Sequence, residues 1–167
     1  MTMEGSIFSR AIGGTVLAAC LVASGQANAY EQFSGEEGKS IEISYSLPSF
    51  PHEARSRAKG YSGVRYTICT SDGSAKGATW SNWQPESDYL SVCNWVVKFT
   101  STSRFDKHLK LSWLTANDDR REGDEHFWVE LTNPEVMLWG ENTWQQHNGS
   151  HHVPSRIQFQ LVIEDDD

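Results

Sequence analysis

The chain has 167 residues, 22 of them acidic against 14 lysines and arginines, for a net charge of −8 at pH 7. That balance, with no run of basic residues, excludes nucleic acid and anionic lipid as partners, which both need clustered cations. It suits a partner that is itself a cation.

In chain order, the first element is an export signal. Arg10 precedes an apolar run, AIGGTVLAACLVASG (11–25), and Ala-Asn-Ala follows at 27–29. A charged start, a short apolar stretch and a small-x-small site form the layout of a secretory signal peptide. The run is shorter than the ~20 apolar residues that a membrane span needs. The expected mature chain therefore begins near Tyr30, has no stable membrane span, and is secreted, periplasmic or on the cell surface. Residues 30–167 suffice for one ordinary domain with a real core. Cys20 leaves with the signal, and Cys69 and Cys93 remain. An even number in an exported protein predicts one disulfide between them.

After residue 30 no convincing helical period appears, and period-two alternation recurs instead. SIEISYSL puts Ile41, Ile43, Tyr45 and Leu47 on one face. VRYTIC alternates Val64, Tyr66 and Ile68, and CNWVVKF gives Trp95, Val97 and Phe99. HLKLSWL gives Leu109, Leu111 and Trp113, and HFWVELT gives Phe127, Val129 and Leu131. RIQFQLVI gives Ile157, Phe159, Leu161 and Ile163. Turn chemistry separates the runs: SDG at 71–73, NDDRREGDE at 117–125, TNP at 132–134 and HNGSHHVPS at 147–155. Residues 48–62 and 134–156 read as two long loops. Short strands with one apolar face predict an all-β fold, an antiparallel β-sandwich. Trp95 and Trp113 are expected in its core.

Acidic residues gather at the predicted strand ends. Glu36 and Glu37 precede the first predicted strand, and Asp88 precedes the strand of Cys93. Asp118, Asp119, Glu122, Asp124 and Glu125 lie between two strong strands, and Asp165, Asp166 and Asp167 end the sequence. A hard divalent cation such as Ca²⁺ takes six to eight oxygens. Four acidic groups meeting at one pole would supply them. Solvated acidic loops are the plain alternative, and no D-x-D-x-D-G calcium loop is present.

The order of these segments resembles a Calx-beta domain. TSDGSA (70–75), SDY (87–89), NDDRREGDEHFWVELTNP (117–134) and LVIEDDD (161–167) follow that family's sequence of motifs. Glu36 with Gly38 is similar to its E-x-x-G opening, with the glycine one position early. The resemblance covers residues 36–167. It implies an immunoglobulin-like sandwich of about seven strands, with calcium at one pole in the calcium-binding members. Carried over by motif, the ligand set is Glu36, Asp88, Asn117, Asp118, Arg120 through its backbone carbonyl, Glu122, Glu125, Asp165, Asp166 and Asp167. Asn117 stands where those members often have aspartate, which removes one charge. Asp124 is assigned no ligand role.

Other chemistries are weaker. No G-x-S-x-G elbow exists, and no carboxylate is marked as acid against base, so an enzyme is not expected. Trp80, Trp83, Trp139 and Trp144 fall in predicted loops, where indoles can stack on sugar rings. His147, His151 and His152 could take zinc, but a solvated loop fits them better. Asn148 is a glycosylation acceptor only in a host that performs that chemistry. The sequence thus reads as a secreted calcium-binding β-sandwich module with a structural, adhesive or interaction role and a protein or glycan partner at the cell surface. The alternatives are a carbohydrate-binding module that uses the loop tryptophans, and a Calx-beta-like domain without metal.

Overall fold

The computed structural model describes residues 30–48, 60–101, 106–117 and 123–165. The expected signal peptide, residues 1–29, lies outside them, as do residues 49–59 of the first predicted loop. The described residues form ten strands and no helix, so none of them forms a helix that could cross a membrane.

One large sheet carries β1 (Glu31–Glu36), β10 (Ile157–Glu164), β8 (Glu125–Leu138), β3 (Tyr61–Asp72) and β6 (Trp95–Phe99), in that spatial order. The short β9 (Gln145–Gln146) also pairs with β8. Facing this sheet, β2 (Ser40–Leu47) pairs antiparallel with β7 (Lys107–Leu114). A small pair, β4 (Gly77–Ala78) with β5 (Tyr89–Leu90), completes the set.

The alternation in the sequence decides what lies between the sheets. Ile41 and Ile43 of β2 and Leu109 of β7 are buried against Val129, Phe159 and Leu161 of the large sheet. Each such side chain contributes roughly 1.5–3 kcal/mol by leaving water. Cys69 and Cys93 form the predicted disulfide, which joins the end of β3 to the residues just before β6.

Four expectations need correction. The fold is a sandwich, but not a purely antiparallel one: β1 runs parallel to β10, and β4 runs parallel to β5. Tyr61 and Ser62 belong to β3 rather than to a loop. Thr132–Pro134 is no turn, because β8 continues through it to Leu138. From Thr67 to Arg65 the partner strand advances from Thr132 to Glu135, one residue more than β3 does. Asn133 absorbs the extra residue at φ 50°, in the left-handed region that asparagine tolerates. Turn-like residues here make a bulge inside a ladder, where Pro134 lacks a donor to give.

The fourth correction concerns Trp95. Trp113 is buried, and its indole N–H donates to the Leu90 carbonyl at 3.0 Å. Trp95 is 55% exposed. It shares the inward side of β6 with Val97 and Phe99, but only the Phe99 end is closed, where Thr100 bridges to His108 of β7, and the Trp95 end stays open. The result is an open apolar groove of about 190 Å³ bordered by Ile68, Trp80, Trp95 and Leu111.

Candidate cation site at the acidic pole

Five of the ten residues assigned as ligands are described: Glu36, Asp88, Asn117, Glu125 and Asp165. Asp118, Arg120, Glu122, Asp166 and Asp167 lie outside the described residues. The described five come to one end of the sandwich through a chain of hydrogen bonds. β1 ends with Glu36 in register with Glu164 of β10. The Glu37 N–H then donates to the Glu164 carbonyl at 3.0 Å. Gly38 turns the chain toward the other sheet at φ 67°, and its N–H donates to the Ala116 carbonyl at 2.9 Å. A Cβ on Gly38 would come within 2.7 Å of the Asn117 Cβ, so glycine is required twice over. The Ala116 N–H donates to the Asp88 carbonyl at 2.8 Å. Glu125 opens β8 opposite Ile163, and the Gly123 N–H donates to the Asp165 carboxylate at 2.8 Å.

Most of the carboxylates described here already have work to do. Asp88 accepts the Lys76 N–H at 2.5 Å and so fixes the loop between β4 and β5. Glu36 is ion-paired with Lys39, three residues on. Asp165 accepts from Gly123, as above. Asp72, which the ligand set omits, accepts the Tyr89 hydroxyl at 2.6 Å and the Gly77 N–H at 3.0 Å. Burial first, then the hydrogen bond to Asp72, pushes the Tyr89 phenol far above its ordinary range, so it stays a donor. Its ring is stacked on Phe127 at 3.8 Å. The signal for Asp72 was in the sequence, as the aspartate of the SDG turn. Lys39 could also have been found, at helical-turn distance from Glu36.

Among the described residues, no three histidine, cysteine or acidic side chains are grouped so as to hold a metal ion. The fit to a cation is therefore partial. The pole gathers the right backbone segments, and its described carboxylates are turned largely toward N–H groups and Lys39.

The other candidates are placed as follows. His147 uses both ring nitrogens: Nε2 meets the Tyr61 hydroxyl at 3.0 Å and Nδ1 accepts the Gly149 N–H at 3.0 Å. His151 and His152 pack ring to ring at 5.2 Å. Trp144 lies under the Arg65 guanidinium at 4.5 Å, and Arg65 is itself paired with Glu135 at 2.6 Å. Trp144 thus serves a structural cation–π contact. Trp80 and Trp83 are exposed and stacked on each other at 6.3 Å.

The fold and this pole define a class: a two-sheet β-sandwich with acid-rich loops at one end. No family model matches the chain, and no curated protein matches it. Among solved structures, it is similar to the apo form of the Calx CBD1 domain, at 21% identity and a TM-score of 0.45, over 82% of this chain and 92% of that one. It is similar to the calcium binding domain CBD12 of CALX1.1, at 18% identity and a TM-score of 0.48, over 82% of this chain and 42% of that one. It is also similar to the Calx CBD2 domain, at 12% identity and a TM-score of 0.42, over 80% and 83% of the two chains.

Proposed function

We propose that this protein is an exported, non-enzymatic β-sandwich module that binds calcium at its acidic pole and serves a structural, adhesive or interaction role. One observation carries the reading. Hydrogen bonds from Glu37 to Glu164, Gly38 to Ala116, Ala116 to Asp88 and Gly123 to Asp165 tie four distant acidic segments to one end of the fold. Gathering that much negative charge costs stability unless a cation offsets it. Glu36, Asp88, Asn117, Glu125 and Asp165 would supply oxygens there. Asp118, the Arg120 carbonyl, Glu122, Asp166 and Asp167 complete the proposed set. Calcium would link loops that the sandwich already holds close, and Lys39 would give up Glu36 as the ion arrives.

The test is thermal. Millimolar calcium added to the metal-stripped full chain should raise Tm, because binding to the folded state alone stabilises by about 2.7 kcal/mol at a hundred times Kd. Magnesium at equal ionic strength should do less, since it loses its own water reluctantly. Asp166→Asn and Glu36→Gln should each shrink the calcium shift. A parent Tm that calcium moves no more than magnesium does would overturn the proposal.

A second reading has its own observation. The exposed stacked pair Trp80 and Trp83 beside the apolar groove offers an indole face to a sugar ring. A glycan array signal that dims in Trp80→Ala would favour it, and a blank array would remove it.

A further inference from the structure

At the end of the sandwich opposite the acidic pole lies an open cleft of about 630 Å³. That volume is in the range of small-ligand sites. Its lining includes Tyr30, Glu31, Tyr45, Arg156, Gln158 and Phe159.

The position of Glu31 is set by the parallel ladder. β1 places Glu31 in register with Phe159, Phe33 with Leu161 and Gly35 with Ile163. Phe159, Leu161 and Ile163 are all buried, so Glu31 takes a position on the inward face of its strand. Apolar residues fill the same face around it. Phe33 packs edge-on against Phe159 at 5.7 Å, and Tyr45 of the opposite sheet does so at 5.3 Å. Burial raises the Glu31 carboxyl pKa. Burial, then the Glu31 charge, raises the Tyr45 phenol.

The cleft has one cation among these residues, and its charge is met elsewhere. Arg156 holds Glu130 with two nitrogens, at 2.6 and 3.0 Å. Glu31 makes no ion pair with any described residue. A carboxylate on an inward face, partly desolvated and without a cation, is complementary to a cation brought by a ligand. An inorganic divalent ion would want several oxygens, and here one carboxylate stands beside the Tyr45 ring. Rings attract organic cations by their faces.

We propose that this cleft binds a small organic ammonium compound. The ammonium group sits against the Glu31 carboxylate, and its carbon substituents lie against the ring of Tyr45, the partly exposed aromatic side chain on the inward side of the cleft. This site is independent of the calcium reading.

The experiment is an amide chemical-shift titration of the full chain with choline, with ethanolamine, and with 3,3-dimethyl-1-butanol as the neutral isostere of choline. Saturable shifts at Glu31, Tyr45 and Gln158 with choline or ethanolamine, at Kd near about 1 mM, are expected. The neutral alcohol should bind at least about tenfold more weakly. Glu31→Gln should weaken the cation by a similar factor while leaving the rest of the spectrum in place. Glu31→Lys supplies a second variant, which reverses the charge and should abolish binding of the cation. Three results would overturn the proposal: no saturable shift with either cation, equal binding of the neutral alcohol, or unchanged binding in both variants. In those cases Glu31 serves only as an inward charge that guards an edge strand against pairing.

Discussion

The two ends of the sandwich use carboxylates in opposite ways. At the acidic pole, Asp72, Asp88 and Asp165 each accept a backbone N–H, and Glu36 is paired with Lys39. At the other end, Glu31 stands alone on an inward face beside Phe159 and Tyr45. The crowded end has many acids, yet they act first as fasteners of loops. The sparse end has one acid in its cleft, and that acid is the less satisfied. The number of carboxylates at a site is therefore a poor guide to what it can bind. What each oxygen already accepts is a better one.

The largest test of this contrast breaks the Cys69–Cys93 bond, which lies three residues along the chain from Asp72 and five from Asp88. The Cys69–Cys93 bond lies next to the exchange in which Thr70 N–H donates to the Val92 carbonyl at 2.8 Å and Val92 N–H donates to Thr70 Oγ1 at 3.0 Å. No disulfide holds the cleft end among the described residues. Replacing both cysteines with alanine should cost about 2–4 kcal/mol in urea unfolding. Amide exchange should quicken around Asp72 and Asp88 more than around Glu31. Equal loosening of both ends would dissolve the distinction.

A smaller effect is expected at Asp72. Asp72→Ala removes the acceptor for the Tyr89 hydroxyl and the Gly77 N–H. A loss of about 1.5–3 kcal/mol is expected, the range for hydrogen bonds to a charged group. Tyr89→Phe removes one partner and keeps the stack on Phe127, so it should cost about 1 kcal/mol. If Asp72→Ala is neutral in a denaturant titration, the acids of this pole are not fasteners.

How much of this could be read beforehand depends on which force sets each feature. Burial between two sheets writes a period of two into the chain, so β2, β3, β7, β8 and β10 are visible from their apolar faces. The strand β1 is not: EQFSGE carries one large apolar residue, and its place comes from a parallel ladder with a segment over a hundred residues away. The bulge at Asn133 hides for a related reason, since Thr-Asn-Pro serves a turn or a bulge equally well until the partner strand is known. Trp95 faces inward as its alternation says, but exposure depends on how far the second sheet reaches. The four acidic segments were legible as motifs, and their meeting at one end follows from the topology. The hydrogen bonds that occupy them were not legible, and neither was Glu31, because nothing in EQFSGE tells which face of the strand turns inward.

The smallest effect is the most diagnostic of the contrast. Burial raises the Glu31 carboxyl pKa in the folded state. The folded protein therefore holds the Glu31 proton to higher pH than the unfolded chain does. The stability this group contributes is fully present below its unfolded pKa and is lost as pH rises through the folded value. Glu31→Gln has no charge to desolvate. Its Tm should lie above the parent's at pH 7, and the gap should close as the pH falls below the unfolded carboxylate value near 4.3. The half-exposed position keeps the gap small. The same substitution at Glu36 removes the partner of Lys39 and gives no such gain in the metal-stripped protein. Two glutamates on one six-residue strand should thus respond with different pH profiles to one change of chemistry, because one faces rings and the other faces an ammonium group. A Glu31→Gln melting profile parallel to the parent's at every pH would place Glu31 in open water and remove the difference between the two ends.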